Sequence, residues 1–180
     1  MSRIVIVSGP PGAGKSTVAR RLAQRIAAPH AMHLRADDIF TYVMKGFVPP
    51  WMPEAHGQNL TLMSATAVQA ATCAAAGYEV FVDGVVGPWF LDPWRREAAA
   101  RGLGLDYVVL MPGEDETATR AAGRQGRGDM TDPEVARRVW RAFGNQPLVE
   151  RHRIDSTLLD VGQTLDAVLA GLAEGRFRLS

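Results

Sequence analysis

The stretch Gly9-Pro10-Pro11-Gly12-Ala13-Gly14-Lys15-Ser16 follows an apolar run, Ile4-Val5-Ile6-Val7, and precedes a helical pattern that starts near Lys15. It fits the spacing G-x-x-x-x-G-K-[ST] without a gap. Few folds accommodate it: a strand must end, turn sharply, and hand over to a helix whose first N–H groups face the turn. Glycines let the backbone aim N–H groups inward, and the positive end of the helix points at the same spot. Such a loop cradles phosphate. Lys15 is then placed to reach β- and γ-phosphates and Ser16 to ligate Mg²⁺, with Gly9, Gly12, Ala13 and Gly14 as the cradle and Thr17 next in line inside the helix. The competing reading is an ordinary glycine-rich turn. It does not account for motif and strand–helix context agreeing.

Strand and helix signals alternate along the rest of the chain. Strands are expected at 3–8, 31–35, 78–82, 105–111 and 151–155. Helices are expected at 15–28, 55–76, 89–101 and 114–123, from Pro133 with Asp132 as its N-cap, and at 163–173. Val18, Leu22 and Ile26 share one face of the first helix. The alternation predicts an α/β fold: a parallel five-stranded sheet with helices on both faces, right-handed crossovers, and ligands at the carboxyl ends of the strands. At 180 residues and 47% apolar, the chain suits a single domain over 1–180. Residues 39–60, broken by Gly46 and Pro49-Pro50, read as an acceptor flap, and residues 123–131 as a lid.

Composition narrows the function classes. A net charge of +1 gives no electrostatic case for nucleic-acid binding. The single cysteine, Cys73, excludes an intrachain disulfide and a cysteine-based zinc site. No apolar run approaches a membrane span, and residues 1–8 read as a strand rather than a signal peptide. A cytoplasmic location without a membrane partner is expected. Lys15 and Lys45 are the only lysines, which makes the one in the loop stand out.

Three sets of residues could carry chemistry. Asp83 ends the run Val80-Phe81-Val82, the pattern of a carboxylate that holds Mg²⁺ beside a phosphate loop; the alternative is a turn aspartate before Gly84. Asp37 and Asp38 follow the second strand, where a carboxylate faces the acceptor side of the γ-phosphate and can take a proton from an attacking hydroxyl. Asp37 is preferred as the base, because a cap directly before Ile39 falls to Asp38. Arg120, Arg124 and Arg127 form a glycine-flanked basic stretch of the kind that closes over a nucleotide and balances transition-state charge. Tyr42, Phe47 and Trp51 in the flap, with Trp89, Phe90 and Trp94 opposite, either line the acceptor or pack under an irregular loop. His30, His33, His56 and His152 lack metal-ligand spacing and read as structural or surface, with His56 a weak substrate contact.

These motifs resemble those of the small P-loop kinases that phosphorylate hydroxyl groups, among them chloramphenicol phosphotransferase, gluconate kinase, shikimate kinase and the zeta-toxin group. Leu34-Arg35-Ala36-Asp37-Asp38 is similar to the segment that carries the catalytic aspartate in the chloramphenicol enzyme, and Val80-Phe81-Val82-Asp83 to its aspartate-ending third strand. The resemblance implies that the arginines from Arg120 to Arg127 stack on adenine and form the lid, and that residues 151–157 border the base. Gly84 stands where the chloramphenicol enzyme has a second acid, and residues 39–60 match no member of the group. The resemblance therefore implies an ATP- and Mg²⁺-dependent kinase acting on a hydroxyl of a small molecule. A nucleoside monophosphate kinase is the second reading. Its phosphate acceptor needs cations, and residues 39–70 hold only Lys45 and His56. A nucleotide-dependent switch module is the third, with no switch motif to support it.

Overall fold

The computed structural model describes residues 2–123 and 130–179. The strands are β1 (Arg3–Ser8), β2 (Ala31–Arg35), β3 (Glu79–Asp83), β4 (Gly104–Leu110) and β5 (Arg153–Ile154). The α-helices are α1 (Lys15–Arg25), α2 (His56–Ala75), α3 (Asp92–Ala100), α4 (Glu114–Ala122), α5 (Pro133–Gly144), α6 (Pro147–His152) and α7 (Val161–Ala173). Short 3₁₀ turns occupy Ala36–Tyr42, Pro53–Ala55 and Pro88–Phe90.

The five strands form one parallel sheet in the order β2-β3-β1-β4-β5. β1 is central because it is apolar on both faces. Ile4 and Ile6 point into a core with α2 and α3, while Val5 and Val7 point into a second core with α1 and α7. Parallel strands buried on both sides read as continuous β-branched runs, as β1 does. The expected α/β architecture, with helices on both faces of a five-stranded parallel sheet, is the observed one. The order brings β3 beside β1, with Val7 opposite Asp83, so that Asp83 ends next to the glycine loop.

Some boundaries differ from the sequence expectation. The first helix stops at Arg25, where Ile26 turns extended. The helix expected from 89 begins at Asp92, after the 3₁₀ turn at Pro88–Phe90. The expected strand at 151–155 shrinks to Arg153–Ile154, because Pro147 opens α6, with Pro favoured at a helix start. The lower part of the β4 edge is instead covered by the C-terminal segment: Tyr107 N donates to Phe177 O (2.8 Å) and Leu179 N to Leu105 O (2.9 Å). Asp132 caps α5, accepting from Glu134 N and Val135 N, as expected.

Candidate active site

The glycine loop owes its shape to close approach. Gly9 has φ +140°, and a Cβ there would lie 2.1 Å from Leu110 O. At Gly12, φ +86°, a Cβ would lie 2.6 Å from Thr117 O, so only glycine lets the loop press against α4. Gly14, φ +87°, is the N-cap of α1 and brings no side chain to occupy the first N–H groups, which leaves them for an anion. Lys15 is buried, and its Nζ donates to Pro10 O (2.9 Å), which holds the ammonium over the loop.

Ser16 and Asp83 meet although 67 residues apart: Ser16 Oγ donates to Asp83 Oδ2. The other carboxylate oxygen, Oδ1, is taken by His33 Nε2 from the neighbouring strand β2. Burial alone would raise the Asp83 carboxyl, but hydrogen bonds from His33 and Ser16 and the charges of His33 and Lys15 outweigh it, and it sits below the usual carboxylate range. An ionised carboxylate touching a hydroxyl at the mouth of a phosphate loop is the donor set that Mg²⁺ takes together with phosphate oxygens. Among the described residues no group of three or more His, Cys, Asp or Glu could hold a metal by itself.

Asp37 stands beside this pair. Its Oδ1 accepts from Val85 N (3.3 Å), in the turn just after Asp83. Gly84 makes room for it, since a Cβ there would lie 2.9 Å from Ala36 Cβ and 3.0 Å from Asp37 Oδ1. The turn is pinned from two further strands. Ser8 Oγ donates to Val86 O (2.7 Å) and accepts from Val86 N (3.0 Å), and Tyr107 OH donates to the same carbonyl (2.7 Å). Burial raises the Tyr107 hydroxyl well above its ordinary pKa, so it stays a donor.

Asp38 does not cap the turn, contrary to the sequence expectation. The 3₁₀ turn already starts at Ala36, so both aspartates lie in its first turn, and Arg35 is the cap residue. Asp38 instead pairs with Arg35 Nη1 (3.4 Å) and lines a cavity of about 340 Å³ with His33, Ile39, Tyr42, Thr66 and Gln69. Tyr42 lines this cavity, whereas Trp51 and Trp89 do not. Trp89 folds over Gly87 and packs edge-on against Phe90 and Phe143. Trp51 is half-exposed, and its carbonyl accepts from Arg138 Nη2 of α5 (3.4 Å). The flap around it is tied to α2: Gln58 Oε1 accepts from Val48 N (3.0 Å), Gln58 Nε2 donates to Val48 O (2.7 Å), and Asn59 Nδ2 donates to Pro50 O (2.8 Å).

On the other side of the loop, Ala13, Gly14, Thr17 and Arg120 line a slot of about 80 Å³. Arg120 Nε donates to Glu116 Oε1 (2.6 Å), which fixes its direction. Arg124 and Arg127, expected in the lid, lie outside the described residues. Of the arginines on α5, Arg137 and Arg141 are engaged by α4, at 2.5 Å from Asp115 and 2.7 Å from Glu114 respectively. His33, Ser8 and Tyr107 were not foreseen as site residues. Each acts across the sheet, and the signal for them is strand order, which the sequence does not state. His56 stacks on Phe90.

A family model described as an AAA domain matches residues 4–146. The chain is 27% identical to an adenylate kinase of Mycobacterium sp. (strain MCS), over 92% of this chain and 94% of that protein. It is 30% identical to an adenylate kinase of Kocuria rhizophila, over 77% of this chain and 78% of that protein. Among solved structures it superposes on a sugar kinase from Janibacter sp. at 17% identity with a TM-score of 0.70, covering 96% of this chain and 95% of that one. A gluconokinase from Sinorhizobium meliloti follows at 20% identity and a TM-score of 0.65, covering 96% and 92%. The two solved structures share the fold.

Proposed function

The chain belongs to the AAA domain family, with the fold of the P-loop kinases, and from that premise we propose that it is an ATP-dependent phosphotransferase acting on a hydroxyl group of a small molecule. The observation that carries this reading is the place of Asp37. Its carboxylate bonds to Val85 N in the turn that follows Asp83 and is fitted against Gly84. A hydroxyl acceptor has a proton to lose and needs a base at that place; a phosphate acceptor does not.

The remaining residues then have defined work. The N–H groups from Gly12 to Thr17 hold the phosphate chain, and Lys15 reaches its terminal part. Ser16 and Asp83 would hold Mg²⁺, which when bound neutralises charge on the phosphate oxygens. His33 keeps the Asp83 carboxylate turned toward Ser16. Asp37 accepts the proton of the incoming hydroxyl. Arg120, together with Arg124 and Arg127, balances the developing charge. The acceptor lies in the cavity beside the flap, with Asp38 and Tyr42 as its contacts; Trp51 and Trp89, which lie outside that cavity, are not assigned to it. Among the described residues no helix is long and apolar enough to cross a membrane.

The similarity to adenylate kinases favours a second reading, transfer to a nucleoside monophosphate. Against it, residues 39–70 hold only Lys45 and His56 as cationic groups, and Arg35 is engaged by Asp38. A coupled ADP-release assay over a panel of alcohols, sugar acids, antibiotics and nucleoside monophosphates decides between them. The expected result is turnover with a hydroxyl acceptor, lost in Lys15→Ala with the fold intact. Asp37→Asn should keep ATP binding and lose transfer. Turnover confined to monophosphates, or near-normal turnover of Lys15→Ala, overturns the proposal.

A further inference from the structure

The cavity beside the flap holds about 340 Å³, near the lower end of the roughly 300–1,000 Å³ usual for ligand pockets, so it suits one ring. Its charged lining is already balanced. Arg35 Nη1 lies 3.4 Å from Asp38 Oδ1, and the His33 ring is held by Asp83. Among the described residues no other cationic side chain lines the cavity. An anionic acceptor would have to draw Arg35 away from Asp38 and leave that carboxylate unpaired beside it. Like charges set against each other in this way are costly.

The groups left to a ligand are neutral. Thr66 and Gln69 are three apart on α2 and both reach the cavity. Thr66 Oγ1 gives its proton to Leu62 O (3.0 Å), so toward the cavity it acts as an acceptor. The Gln69 amide bonds to no other group among the described residues. It carries two donors and an acceptor on one planar group, and neighbouring hydroxyls on a ring, each able to give and take a proton, match it. Asp38 accepts from a further hydroxyl without losing Arg35, because a carboxylate has about four acceptor sites. Leu34 and Ile39 supply aliphatic walls and Tyr42 a ring face, against which the C–H face of a saturated ring packs.

We propose that the acceptor is an uncharged, hydroxyl-rich ring of the size of a monosaccharide or cyclitol, with Gln69 as its specificity-determining contact. The assignment rests on the phosphotransferase reading given above. One ring hydroxyl oxygen bonds to the γ-phosphorus, the bond from that phosphorus to the departing ADP oxygen breaks, and the hydroxyl proton passes to Asp37. The test is ADP release with Mg·ATP and neutral monosaccharides and cyclitols, each paired with its carboxylate or phosphate counterpart. The best neutral compound should have a kcat/KM at least about tenfold above that of its charged counterpart. Gln69→Ala should raise the KM for that compound about tenfold while the KM for ATP and the melting temperature stay where they are, since the amide makes no bond within the protein. Asp38→Asn frees the Arg35 guanidinium and should lower the KM for the charged counterpart about fivefold. Preference for the charged member of each pair, turnover confined to alcohols without a ring, or an unchanged acceptor KM in Gln69→Ala overturns the assignment while leaving the phosphotransferase reading in place. No turnover with any hydroxyl compound removes both.

Discussion

Gly84→Ala tests whether Asp37 is held in a reacting position. The added methyl would lie 2.9 Å from Ala36 Cβ and 3.0 Å from Asp37 Oδ1. Non-bonded heavy atoms settle at about 3.5–4.0 Å, so something must retreat by roughly 0.5–1 Å. Ala36 Cβ moves only with its backbone, which is buried in the core beside α2. The compliant partner is the Asp37 carboxylate, which must lengthen or lose its 3.3 Å bond from Val85 N. A misplacement of about 1 Å at a reacting group costs on the order of 10² in rate. Overpacking of this kind also costs about 1–3 kcal/mol of stability. The expected outcome is therefore a kcat lowered by about two orders of magnitude, a modestly lower melting temperature, and unchanged calorimetric affinity for Mg·ATP. Asp37→Asn alone should lose about 10²–10⁴. The double variant should be no slower than Asp37→Asn, since both changes act on one group. A Gly84→Ala protein that turns over within about threefold of wild type would refute the placement of the base.

Two further outcomes follow from particular contacts. Gln58→Ala removes both bonds to Val48 and should free the flap, raising the rate of limited chymotryptic cleavage at Phe47 and Trp51 by about 5- to 100-fold without changing ATP affinity; unchanged cleavage would mean that the amide pair does not hold the flap. His152 is buried, and burial, aided by the charges of Arg151, Arg176 and Arg95, lowers its pKa below 6.5 despite the bond to Tyr107 O. The unfolded chain then takes up a proton before the native state does. Stability should fall as pH drops below about 6.5, by up to about 1.4 kcal/mol per pH unit. Melting curves of wild type and His152→Asn between pH 7.5 and 5 check this; equal slopes would refute it.

Much of the site was legible because it is local. The phosphate loop needs a strand, glycines, a lysine and a hydroxyl within one short stretch of chain, and residues 3–17 supply all of them. Asp83 was legible because a carboxylate at the end of an apolar run is conspicuous. Asp37 was preferred over Asp38 on a capping argument that the structure removes. The structure separates the two on another ground: Asp37 bonds into the turn after β3, while Asp38 pairs with Arg35. His33 was missed because nothing in its own neighbourhood marks it. It matters only because β2 lies against β3.

The sequence by itself determined the phosphate loop, the alternation of strands and helices, and the carboxylates available to serve them, since each of these depends on residues close together in the chain. Only the tertiary structure decided which of those residues meet. Strand order β2-β3-β1-β4-β5 puts His33, Asp83 and Ser16 in contact and lets Ser8 and Tyr107 grip one turn. Packing, not motif, explains why residue 84 is glycine. Such pairings depend on how buried faces fit one another across tens of residues, and local propensity carries no record of that fit.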